Sequence, residues 1–208
     1  GFIGSATNCR LYFENCSVQP KGSSIMYVKG EEAVGGFIGD GLYCFSQLSN
    51  IKISTNVTAS GAYAGGFAGK LDNAFLTLNL SDFTFSNSCI IEAGSDAGGF
   101  AGYLTGGTSL RGNSSIEFQN PTNTIPKEKE KADFTVEVKG SLRTGGVVGF
   151  LNGATINNVH FRGQVTGGDE TGGIVGYGRG SIYNSMSSGK VVGANETGGI
   201  IGKADGAK

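Results

Sequence analysis

The chain has 208 residues, with 16 Lys and Arg set against 17 Asp and Glu, so its formal net charge is −1 and no basic footprint for nucleic acid is present. Charged residues make up only 16% of the chain, and no apolar run approaches the ~18 residues that a membrane-spanning helix requires. Glycine, at 38 residues, is the dominant feature, and it falls in a pattern.

The chain opens on Gly1-Phe2-Ile3-Gly4 and returns to this core six times. The full copies are Gly35-Gly36-Phe37-Ile38-Gly39, Gly65-Gly66-Phe67-Ala68-Gly69, Gly98-Gly99-Phe100-Ala101-Gly102, Gly145-Gly146-Val147-Val148-Gly149, Gly172-Gly173-Ile174-Val175-Gly176 and Gly198-Gly199-Ile200-Ile201-Gly202. Successive copies are 35, 30, 33, 47, 27 and 26 residues apart, the cadence of an array. The second glycines of the pairs (Gly36, Gly66, Gly99, Gly146, Gly173 and Gly199) are read as repeat corners. There glycine permits φ > 0 and close approach of stacked backbones. A flexible linker would not keep two apolar residues in register after every pair. Within a strand those two would face opposite sides, one toward a core and one toward a second layer or neighbouring molecule. A bend would turn both inward.

A second signature lies between the cores: Phe13-Glu14-Asn15-Cys16, Leu48-Ser49-Asn50-Ile51, Ile156-Asn157-Asn158-Val159 and Ile182-Tyr183-Asn184-Ser185. Asn15, Asn50, Asn158 and Asn184 share one slot, so stacked repeats would form an Asn ladder. Val, Ile, Phe, Tyr and Thr fill the stretches between breaks rich in Gly, Asn and Asp, and no window holds a helical period with caps. The expected fold is all-β: a right-handed parallel β-helix or β-solenoid of six to seven Gly-rich repeats, with no significant helix. A 26-residue repeat has room for three strands of roughly 5 residues and three turns. Stacking at ~4.8 Å makes six repeats a rod of roughly 30 Å. Residues 1–208 read as a single segment cut from a longer array, because the chain starts inside a repeat and stops six residues after one.

The Gly-Gly cores, strongest over 140–202 and degenerate over 1–135, resemble the GLUG repeats of bacterial surface proteins. The resemblance covers nearly the whole chain and implies a cell-surface or secreted setting.

Four cysteines are present. Cys9 and Cys44 each lie five residues beyond the core glycine of their repeat, so stacking brings them within disulfide range at ~4.8 Å. A stacked pair of free thiols is the alternative. Cys16 aligns with Ile51 and is read as core, while Cys89 has no evident partner. The sequons at Asn56, Asn79, Asn113 and Asn195 are candidate N-glycosylation sites, Asn195 being the best placed, in a polar turn. Asn15 begins a further sequon, but its ladder slot makes it a poor acceptor. Residues 118–135, with two Pro and the run Lys127-Glu128-Lys129-Glu130-Lys131, are read as an inserted charged loop that explains the 47-residue spacing.

In the regular part, Glu170 and Glu196 occupy one slot, whose earlier occupants are Arg143, Asp96, Tyr63 and Ala33. Two stacked carboxylates evoke a retaining glycosidase pair or a cation site. The bland reading, exposed turn residues, is preferred because the slot is so varied. His160 alternates with Val159 and Phe161 and is placed on the outer face. Nothing supports a Ser–His–Asp arrangement, a zinc motif or a phosphate loop, so no catalytic residue, cofactor or metal ligand is assigned.

These readings favour a non-enzymatic structural or adhesive protein. It would be an extracellular glycoprotein segment of a stalk, fibre or filament. Its expected partners are copies of itself or flanking repeats, surface glycans, or proteins of a host or neighbouring cell. The alternative is a non-catalytic repeat module of a secreted peptidase or polysaccharide-acting enzyme. A carbohydrate-binding β-helix would need an aromatic or acidic strip along one face.

Overall fold

The computed structural model describes residues 1–22, 24–72, 77–79, 83–85, 89–111 and 136–206. The 118–135 insertion and Asn113 lie outside the described residues. The described part is all-β without helix, and every strand pairing in it is parallel. No helix among these residues is therefore long and apolar enough to cross a membrane.

Two large sheets meet at the glycine corner. The leading sheet, of ten strands, carries the chain into each Gly pair and includes Asn56–Gly65, Ile90–Gly98, Leu142–Gly145 and Asp169–Gly172. The following sheet, of nine strands, carries the chain away. Its strands after the cores are Ile3–Thr7, Ile38–Leu42, Ala68–Asp72, Ala101–Thr105, Val148–Asn157, Val175–Tyr183 and Ile201–Ala204. Each of these pairs in parallel with its counterpart in the next repeat, as in Ile3↔Ile38↔Ala68↔Ala101↔Val148↔Val175↔Ile201. Smaller sheets complete the repeats. Arg10–Glu14 pairs with Phe45–Ser49, and Ser17–Val18 with Ile51–Ile53 and then Phe83–Phe85; near the other end His160–Phe161 pairs with Met186–Ser187.

Gly36, Gly66, Gly99, Gly146, Gly173 and Gly199 all sit in bends between a leading and a following strand. At each junction one carbonyl accepts two amides of the neighbouring repeat. Phe67 O takes the N–H of Phe37 and of Ile38, both at 2.9 Å. Phe100 O takes those of Phe67 and Ala68 at 2.9 and 3.1 Å, and Ile200 O those of Ile174 and Val175 at 2.8 and 3.0 Å. The bend turns both apolar residues of the core inward: Phe37, Ile38, Phe67, Ala68, Phe100, Ala101, Val147, Val148, Ile174 and Val175 are all buried. Phe2, Phe37, Phe67 and Phe100 stack ring on ring at centroid distances of 4.9, 5.7 and 5.0 Å. Such pairs add roughly 0.5–1.5 kcal/mol to the burial of each ring.

The reason for glycine differs from the positive φ expected of it. None of the corner glycines has positive φ. Close approach accounts instead for Gly36, Gly99, Gly146 and Gly173. A Cβ on Gly36 would overlap Gly66 O, one on Gly99 would overlap Gly146 O, and one on Gly173 would overlap Gly199 O. The first glycine of each pair faces its own following strand: a Cβ on Gly172 would overlap Val175 O. The left-handed backbone falls instead two residues before the pair, at Ala33, Tyr63, Asp96, Arg143, Glu170 and Glu196, with φ between 47° and 63°. It also falls in the Asn slot, at Asn15, Asn50, Asn158 and Asn184. Asn tolerates this conformation, whereas the other residues hold it against a bias of about 1 kcal/mol each.

Gly173→Val should therefore lower the melting temperature by roughly 5–10 °C, the consequence of forcing a side chain into backbone. Gly199→Val is the matched control, since nothing lies within 4 Å of a Cβ there. Thermal melts of the two variants check this, and equal effects would contradict the corner geometry.

Candidate functional site: stacked side-chain columns

Because equivalent residues stack, each repeat position becomes a column of side chains. The column with left-handed backbone carries the charges. Asp96 is fully buried, and its Oδ2 accepts hydrogen bonds from Arg143 Nη2 at 2.8 Å and Ser95 Oγ at 2.5 Å. Asp96 Oδ1 and Arg143 Nε are buried without a hydrogen-bond partner among the described residues. Burial pushes the Asp96 carboxyl above its ordinary pKa, and the Glu170 charge pushes the same way. The Ser95 and Arg143 contacts pull against them. Further along, Lys203 Nζ bridges Glu170 at 3.3 Å and Glu196 at 3.2 Å. The two stacked carboxylates thus share a protein ammonium. The Glu170 side chain is only 14% exposed, less than an exposed turn would give.

Beside this column runs another, on the following sheet: Asp40, Lys70, Tyr103, Phe150, Tyr177 and Lys203. Its rings meet edge to face, Tyr103 with Phe150 at 4.9 Å and Phe150 with Tyr177 at 5.0 Å, and Tyr63 joins Tyr103 at 5.5 Å. An aromatic strip is therefore present. A cation already lies over three of its rings, however: Lys70 over Tyr103, Arg143 over Phe150 and Arg179 over Tyr177. Arg179 and Tyr177 also converge on Asp205, at 2.7 and 2.9 Å. Ring faces that could stack on a sugar are occupied by the protein's own cations.

The Asn slot links repeats at one end of the chain and shifts at the other. Asn50 Nδ2 donates to Asn15 Oδ1 at 2.7 Å. Asn184 Nδ2 donates to Asn157 Oδ1 at 3.2 Å, one residue before the ladder slot at Asn158. Cys9 and Cys44 are free thiols with their sulfurs 2.9 Å apart. Cys16 is partly buried against the core, and Cys89 is buried with its thiol directed at Ile53 O.

Among the sequons, Asn56 Oδ1 accepts the Ile90 amide at 2.9 Å, which ties it to the next repeat. Asn195 is exposed and donates to Asp169 Oδ1 at 2.7 Å. Asn79 ends the strand Thr77–Asn79.

His160 corrects the expectation of an outward side chain. It is buried together with Val159 and Phe161, because its two-residue strand follows the left-handed Asn158 and has no run of alternation to obey. Its Nε2 meets Ser188 Oγ at 2.8 Å, and Arg162 Nε donates to its Nδ1 at 3.3 Å. The partner described at Nδ1 is thus a guanidinium, two residues along the chain. Among the described residues, no group of three or more His, Cys, Asp or Glu is placed to hold a metal ion.

No family model, no curated protein and no solved structure matches the chain.

The Asp96–Arg143 pair gives a pH-dependent test. A carboxyl whose folded pKa is raised takes up its proton before the unfolded chain does. Its contribution to stability therefore grows as pH falls from the folded value toward the unfolded value near ~3.9. Arg143→Met leaves a buried carboxylate unpaired and should cost about 3 kcal/mol at neutral pH. The loss should shrink as the solution is acidified. Urea denaturation of both proteins at neutral and mildly acidic pH measures it, and a pH-independent difference would contradict the assignment.

Proposed function

We propose that this chain is a structural or adhesive segment of an extracellular rod, a right-handed parallel β-helix of GLUG-like repeats serving as part of a stalk, fibre or filament. The observation that supports this reading is the use of side chains. Among the described residues, the charged and amide side chains of these columns are engaged with one another, either with the equivalent residue of a neighbouring repeat or with the adjoining column. Asp96 meets Arg143, Glu170 and Glu196 meet Lys203, and Asn50 meets Asn15. A catalytic site instead keeps polar groups converging on an open cleft. The repeated glycine corner adds to this, since it closes on the next repeat in the same way whether the core residue is Phe, Val or Ile. Partners in this reading are flanking repeats or further copies of the chain, with surface glycans or neighbouring-cell proteins as adhesive targets. Asn195, exposed in its turn, is the preferred glycan acceptor in this reading.

The test is immunogold electron microscopy of intact and permeabilised cells of the native source. Labelled thin fibres or stalks on intact cells are the expected result. Label confined to permeabilised cells would overturn the extracellular assignment, and label on compact particles would overturn the rod.

A further inference from the structure

The Asp96–Arg143 pair, the cation-covered aromatic strip and the His160–Ser188 contact each draw their partners from within the fold. The cysteine corner is different, because its two groups are placed to react with each other. Cys9 directly follows Asn8, and Cys44 directly follows Tyr43, with φ of 49° and 50° at the two preceding residues. The same tight corner thus presents both thiols. Register is held on both sides, by Thr7↔Leu42 before the corner and Arg10↔Phe45 after it. The Asn8 amide donates to Leu42 O at 3.0 Å across the corner itself. Backbones paired in this way lie ~4.8 Å apart, within the Cα separation that a disulfide accepts. The sulfurs are 2.9 Å apart, inside the sum of their van der Waals radii. Later repeats place Gly106 and Gly153, both with φ of 73°, at the left-handed position of this corner.

We propose that Cys9 and Cys44 form a disulfide that locks the first two repeats in register. This goes beyond the rod reading and does not depend on it, since the geometry holds in any oxidising setting. The oxidant is a low-molecular-weight disulfide such as glutathione disulfide. Cys9 is partly exposed whereas Cys44 is buried, so the Cys9 thiolate attacks first. It forms a mixed disulfide and releases one thiol. The Cys44 thiolate then attacks the Cys9 sulfur and releases the second thiol. Two protons leave the cysteines, and two electrons pass to the reagent. The hydrogen bond to Cys44 holds the Cys9 thiol above its ordinary pKa, so the first step accelerates with rising pH. Cys16 and Cys89 remain thiols. Cys16 lies one residue before the Ser17↔Lys52 pairing, opposite Ile51, and the Cys89 thiol is directed at Ile53 O.

The experiment equilibrates the folded 208-residue chain with an oxidising glutathione couple at mildly alkaline pH, quenches it with acid, denatures it, and labels free thiols with a maleimide. Mass spectrometry should count two labels, at Cys16 and Cys89, with a Cys9–Cys44 linked peptide in the digest. The oxidised chain should melt roughly 10 °C above the reduced one, in keeping with a bridge that closes a loop of about 35 residues. Cys9→Ser should abolish the shift, and Cys16→Ser should preserve it. Four labelled thiols, or a linked peptide joining any other pair, would overturn the proposal.

Discussion

One backbone contact organises the molecule: at the glycine corner, a single carbonyl accepts two amides from the adjoining repeat. It recurs from Phe37 O, which takes Phe2 and Ile3, through to Ile200 O, which takes Ile174 and Val175. Each partner comes from another repeat, so the corner exists only in the stacked state. That accounts for the glycines. A side chain on Gly36, Gly99, Gly146 or Gly173 would occupy the space filled by the next corner's carbonyl. Once the backbones are this close, both apolar residues that follow must turn inward, and they build the core from Phe in the early repeats and Val or Ile in the later ones.

Register imposed at the corner propagates outward into columns. A fixed stacking distance makes every surface position a ladder, and each ladder must resolve the repulsion or desolvation that stacking creates. Asp96 resolves it with Arg143, and the carboxylates of Glu170 and Glu196 share Lys203. Tyr103, Phe150 and Tyr177 resolve it by turning edge to face beneath Lys70, Arg143 and Arg179. The proposed rod reading rests on these repeat-to-repeat contacts.

The all-β class, the repeat boundaries and the pairing offsets were legible in the sequence because the Gly-Gly cores mark them directly. Two features were hidden. The left-handed position before each Gly pair holds Ala, Tyr, Asp, Arg, Glu and Glu, so no residue preference announces it, and the glycines beside it drew the positive φ by default. His160 was hidden for another reason. Alternation is a rule for runs, and a two-residue strand beyond a left-handed Asn gives the rule nothing to work on. The shift from Asn158 to Asn157 in the Asn184 contact has a similar origin, since neighbouring Asn residues offer the same chemistry and only backbone geometry chooses between them.

The most direct test of the stacked corner is a distance across several repeats. Lys70 and Lys203 lie in one column, with Tyr103, Phe150 and Tyr177 between them. Four inter-strand steps place their backbones roughly 20 Å apart, although more than a hundred residues of chain separate them. Pulsed electron–electron double resonance between spin labels at these two positions, in a background free of native cysteines, measures that separation. A narrow distribution centred near 20–25 Å, allowing for the label arms, is the result that stacking predicts. A broad distribution reaching tens of ångströms further would mean that the repeats do not stack through their corners, and the account would fail.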